Sequence, residues 1–161
     1  MKNIMMALLM LEFVAFPSMV EEVTEYKETF HSMTEADYEA LEEVVYWESA
    51  RCGCPNEVNV AVVETVFNRV LSGEFPDNVY DVCHQKGAFY RKAIPQSASM
   101  EATDAAIAQA FIAGRTVLPS TEYCYFATKK QSLGKDHIWV GDIKANGKPK
   151  KGKGMYFCRE K

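Results

Sequence analysis

The sequence contains no pair of cysteines at Cys-x-x-Cys spacing, no low-complexity tract, no internal repeat and no apolar run of comfortable membrane-spanning length. Each absence removes a class. Zinc ribbons and dithiol redox motifs go with the first, disorder beyond the ends with the second, repeat arrays with the third, and a comfortable membrane-spanning helix with the last. The apolar run Ile4 to Leu11 behind Lys2 has the charged and hydrophobic regions of a signal peptide, but Glu12 interrupts it and no Ala-x-Ala site follows. Residues 1–30 are therefore set apart, as either a signal peptide or a first helix packed on the domain. Residues 31–161 are read as one domain, because 161 residues suffice for a single core.

Five cysteines, at 52, 54, 83, 124 and 158, are an odd number. Buried thiols, or one or two disulfides in an exported chain, account for them better than a metal site built from Cys52, Cys54, Cys83 and His84. The net charge of -4 is unevenly spread, with ten Lys/Arg against three Asp/Glu from Lys129 onward. Lys144, Lys148, Lys150, Lys151 and Lys153 fall in a Gly/Pro-broken stretch that reads as a solvated loop. A basic patch of this kind also attracts polyanions, yet it carries no nucleic-acid-binding motif, so nucleic acid is not the expected partner.

Thr34 and Asp37 form an N-cap pair ahead of Leu41, Val44 and Val45 at helical spacing, which predicts a helix from about 35 to about 50. A second should begin near Asn56 and stop before Gly73, its Val58, Val62, Val66 and Val70 forming a buried stripe. Glu57, Glu64 and Asn68 share the opposite arc, which faces either solvent or a groove. A short helix over Val79–His84 and an Ala-rich one from about Ser99 to Ala113 follow, the latter ended by Gly114. Short aromatic pieces at Tyr123–Ala127, His137–Val140 and Met155–Cys158 read as small strands, with Asn146-Gly147 as a turn. The fold class is α+β, mainly α.

One carboxylate stands out. On a helical wheel Glu48 falls between Val44 and Leu41, on the apolar face and in the last turn. Desolvation and the carbonyl end of the helix both favour its protonated form, the form that glycosidic cleavage requires of its acid. By itself this leaves open a Glu that turns outward to pair with Arg51 or a lysine.

The surrounding motifs add a resemblance. Tyr46-Trp47-Glu48-Ser49-Ala50-Arg51, Ala61-Val62 with Phe67-Asn68-Arg69-Val70, Phe75-Pro76, and Gln85-Lys86-Gly87-Ala88-Phe89 occur in order. They resemble the SleB/CwlJ-type cell-wall hydrolases, spore-cortex-lytic and phage wall enzymes, over about residues 38 to 159. Two departures stand out. Glu-x-Arg-Gly is here split by two extra residues into Glu48-Ser49-Ala50-Arg51-Cys52-Gly53, and Met155 stands near the place of a His.

The resemblance implies a lysozyme-like domain with its small β element near the C-terminus. It implies a lytic transglycosylase or muramidase that cuts the MurNAc–GlcNAc bond of peptidoglycan with Glu48 as general acid/base, acting at the cell envelope after export or phage delivery. Glu64 is the candidate second carboxylate if the reaction is hydrolytic. Arg51, Asn68, Gln85, Phe89 and Tyr125 are the candidate substrate-binding residues, with no metal, no cofactor and a monomer expected. Two other readings are a wall-binding or virion structural module of the same fold without turnover, and a Cys83/His84 enzyme. Adjacent residues do not readily meet as nucleophile and base.

Overall fold

The computed structural model describes residues 26, 27, 31, 33–129 and 136–159. The possible signal peptide lies outside the described residues. Helix α1 spans Glu35–Glu48 and opens on the expected capping box, with the Thr34 hydroxyl accepting from the Asp37 N–H and the Asp37 carboxylate accepting from the Thr34 N–H at 2.7 Å. The other Asp37 oxygen accepts from the Tyr80 N–H at 2.8 Å, so one side chain both caps α1 and fixes the start of α3, Val79–His84.

A 3-10 turn over Ala50–Cys52 follows α1, and Gly53, at φ 61°, turns the chain into α2, Asn56–Ser72. Helix α2 is the axis of the domain. Every residue from Val58 to Arg69 is buried, because α1, α3, α4 (Glu101–Ala113) and strand β2 (His137–Ile143) pack around it. The Val stripe is thus buried up to Val66, with Val70 at its edge. The expectation that the opposite arc faces solvent or a groove is corrected: Glu64 and Asn68 are both fully buried, and of the three only Glu57 reaches solvent.

The sheet lies near the C-terminus, with β3 (Pro149–Cys158) central between β1 (Tyr125–Ala127) and β2, all antiparallel. The α+β, mainly α class is therefore the observed one. The lysine stretch is corrected, since Lys150, Lys151 and Lys153 belong to a strand rather than a loop. Lys153 reaches across to the carbonyls of Cys52 and Gly53 at 3.3 and 2.7 Å, clasping the hairpin to the turn after α1.

Where β2 and β3 cross, Gly141 faces Gly154, and a Cβ on Gly154 would collide with the Val140 carbonyl and the Trp139 ring. Gly154→Ala is expected to destabilise the domain by about 2–3 kcal/mol, as other overpacked sites do. Urea unfolding with an unchanged m-value is the check.

Between α1 and α4, Glu42 lies beside Asp104. Burial first, then the charge and hydrogen bond of Asp104 and the charge of Glu39, push its carboxyl from 4.5 up to about 7. The folded state therefore binds the extra proton. This contribution to stability is complete below the unfolded value and is lost as pH rises through about 7. Melting temperature is expected to fall on the way from roughly pH 5 to roughly pH 8, and Glu42→Gln to flatten that slope.

Candidate functional site

Glu48 ends α1 with its side chain half-buried, consistent with its place on the helical wheel. Its Oε1 accepts from the Tyr90 N–H at 2.5 Å, which fixes the carboxyl against the loop after α3. Burial raises its pKa, while the Tyr90 N–H and the charges of Arg51 and Arg69 pull the other way; the net direction is up. The result is an acid that keeps its proton more readily than a surface glutamate and has two cations nearby when it loses it.

A 3-10 turn over Ala50–Cys52 follows Glu48. Arg51 accordingly folds back, donating from Nε to the Trp47 carbonyl at 3.2 Å with its guanidinium 4.8 Å from the centre of the Trp47 ring. From there it still acts on the charge of Glu48. The Trp47 and Tyr90 rings meet edge to face at 5.5 Å, an aromatic rim beside the carboxyl.

Arg69 projects from α2 and is 5% exposed. Its Nε donates to the Cys124 carbonyl at 2.7 Å, and its guanidinium lies 4.5 Å from the ring centre of Phe89, 5.0 Å from that of Phe75 and 5.5 Å from that of Tyr125. Two expected substrate-binding residues, Phe89 and Tyr125, thus form part of an aromatic cage around a cation. Gln85 closes the short helix α3 through its backbone, and its half-buried side chain has no hydrogen-bond partner among the described residues. The structure brings Glu48, Arg51, Arg69 and the cage together, and leaves Gln85 nearby in sequence.

Glu64 and Asn68 are placed elsewhere. Glu64 is sealed from solvent, its carboxylate accepting from three successive backbone N–H groups: Thr116 at 2.5 Å, Val117 at 3.0 Å and Leu118 at 2.7 Å. Burial raises its pKa against the pull of these donors. Asn68 donates to the carbonyls of Ser120 at 3.3 Å and Tyr123 at 2.9 Å and accepts from the Tyr26 hydroxyl. With Arg69 on Cys124, three side chains of α2 hydrogen-bond in turn to the irregular segment 116–124, whose backbone forms few hydrogen bonds of its own. The Asn68 amide, expected at the substrate, is occupied and buried.

Arg69 is not among the site residues expected from the sequence, and it both ties α2 to the Cys124 carbonyl and acts on the charge of Glu48. The Asn-Arg pair within a buried helix was the available signal.

Cys83 and His84 do not form a reactive pair. Cys83 is buried and its thiol is pushed up to about 12, while the His84 ring is exposed and stacked on Tyr80. None of the five cysteines is in a disulfide. Among the described residues no group of three His, Cys, Asp or Glu side chains could hold a metal ion, and no helix is long and apolar enough to cross a membrane.

A separate groove of about 550 Å³ is lined by Pro55, Glu57, Val117, Trp139 and Asp142 among others. It shares no lining residue with the Glu48 cluster. Its Asp142 is paired with Lys150 at 3.7 Å.

No match was found among curated proteins or solved structures. A family profile described as Cell Wall Hydrolase matches residues 53–157, well over half of the chain. The match takes in Arg69, Phe75, Phe89 and Tyr125 and begins just after the turn that carries Arg51. Motif order, the α+β architecture and the extent of this match agree, and the chain belongs to the cell wall hydrolase family.

Proposed function

We propose that the protein is a lytic transglycosylase of peptidoglycan, on a lysozyme-like domain, with Glu48 as its single acid/base. The observation that carries this reading is the Glu48 carboxyl: half-buried, raised in pKa, oriented by the Tyr90 N–H and accompanied by cations rather than by a second carboxylate. Glu48 gives its proton to the glycosidic oxygen as the C1–O bond of N-acetylmuramic acid breaks, and the freed N-acetylglucosamine end leaves as an alcohol. The resulting Glu48 carboxylate takes the proton of the muramyl 6-hydroxyl as that oxygen closes on C1. The products are a 1,6-anhydro sugar and a regenerated acid, with no water consumed.

A hydrolase of the conventional type places a second carboxylate about 5–9.5 Å from the first. Glu64, the candidate for that part, has both oxygens held by backbone N–H groups in the core, which favours a role in the fold. Gln85 remains the candidate for an acetamido contact, since its amide has no partner among the described residues. Phe89 and Tyr125 act through Arg69, and the Trp47–Tyr90 rim offers sugar-stacking surface. The enzyme works at the wall, whether exported or delivered by a phage.

Digestion of sacculi in ¹⁸O-labelled water tests the reaction class. The expected muropeptides carry an anhydro end and no label, and labelled reducing ends would show hydrolysis instead. Binding to sacculi without any cleavage would favour the wall-binding reading.

A further inference from the structure

A buried cation normally has an anionic partner, because an uncompensated charge in the interior is costly. Arg69 is buried, yet no carboxylate among the described residues lies within ion-pairing distance of it. Among the described residues its one hydrogen bond goes to the neutral carbonyl of Cys124, and three aromatic rings surround its guanidinium. Its two terminal nitrogens have no acceptor among the described residues, and neither is wholly shielded from solvent. Burial lowers the Arg69 pKa; Cys124, Tyr125, Cys83 and Glu48 act the other way, and of these Glu48 is the one carboxylate. Glu48 in turn faces Arg69 from α2, Arg51 from the 3-10 turn and the Tyr90 N–H from the loop after α3.

We propose that Arg69 is a positioning residue for the reaction: a fixed countercharge, locked by the Cys124 carbonyl and the Phe75–Phe89–Tyr125 cage, that receives the negative charge of Glu48 each time its proton is on the substrate. The pair is not a closed ion pair, so the carboxyl is free to meet the glycosidic oxygen. The two are joined through consecutive residues of one loop: the Phe89 ring lies 4.5 Å from the Arg69 guanidinium, and the N–H of Tyr90 donates to the Glu48 carboxyl. The Arg side chain suits this place because its planar, weakly hydrated cation stacks on rings and remains charged at every working pH. Arg51 also acts on the charge of Glu48, and more strongly than Arg69, but from an exposed site held by the Trp47 carbonyl rather than from within the cage.

The inference rests on Glu48 being the acid, and the test separates the two. Initial rates on soluble glycan chains are measured across pH for wild type, Arg69→Met, Arg69→Gln and Arg69→Lys, with Glu48→Gln alongside. Met keeps apolar volume within the cage, Gln keeps a donor for the Cys124 carbonyl, and Lys keeps the charge. Both neutral variants are expected to move the alkaline limb of kcat/KM to higher pH and to lower kcat about tenfold, with KM changed less, because Glu48 becomes a weaker acid. Arg69→Lys is expected to hold the limb at its wild-type position.

A folded neutral variant whose limb has not moved overturns the proposal, since a purely structural role would change amount or stability and not the midpoint. Should both neutral variants fail to fold, Arg69→Lys decides: a limb held in place with kcat reduced supports the proposal, and a limb displaced upward contradicts it. Full activity in Glu48→Gln would instead overturn the reading of the acid, whatever Arg69 does.

Discussion

Replacing Glu64 by alanine is expected to destabilise the domain by about 3–5 kcal/mol, a large part of the total stability of a domain of this size. The reason is what the carboxylate leaves behind. Three consecutive backbone N–H groups, Thr116 to Leu118, lose their acceptor; that of Leu118 is buried and the other two are part-buried, so the orphaned donors carry a desolvation cost. Glu64→Gln is the sharper variant. Its volume is nearly unchanged, but its amide nitrogen would face a donor it cannot accept from, so about 2–3 kcal/mol should still be lost. Urea unfolding measures both, and an unaltered midpoint in Glu64→Gln would show that the three N–H groups are not the reason this residue is acidic.

The second large effect concerns turnover. Glu48→Gln is expected to lower kcat about a thousandfold or more, within the range by which positioned general acids accelerate proton transfer. Stability should change little, because the Gln oxygen can still accept from the Tyr90 N–H. In the unaltered enzyme, activity should fall on the alkaline side as Glu48 loses its proton, and the raised carboxyl puts that loss at higher pH than a surface glutamate would. Separating the two variants in this way, Glu64 through folding and Glu48 through chemistry, also separates the two carboxylates that the sequence left as a pair.

Local signals were legible where local physics decides the outcome. The Thr34–Asp37 cap, the stop at Gly73 and the end at Gly114 fixed helix boundaries to within a residue or two. Glu48 was visible because a helix maps sequence spacing directly onto a face. Glu64 was misread by the same mapping: a wheel shows which residues share an arc but not what packs on it, and α2 is covered on all sides. Three successive N–H groups that receive a carboxylate have no residue signature at all, since backbone supplies every donor.

The cage around Arg69 was hidden for a related reason. Phe75, Phe89 and Tyr125 come from three separate stretches of chain, and only the fold brings them within 5.5 Å of one guanidinium. The strand over Pro149–Lys153 was taken for a loop because its Lys and Gly composition is that of solvent-exposed chain. Pairing with β2 makes it a strand, and its lysines stay exposed or clasp the turn at Gly53.

The central claim is that Glu48 performs glycan cleavage, and the most direct test is the release of muropeptides from purified sacculi by wild type and Glu48→Gln, with products resolved by mass. The account predicts 1,6-anhydromuramyl ends from the wild type and none above background from the folded variant. Equal release by the two proteins would contradict it.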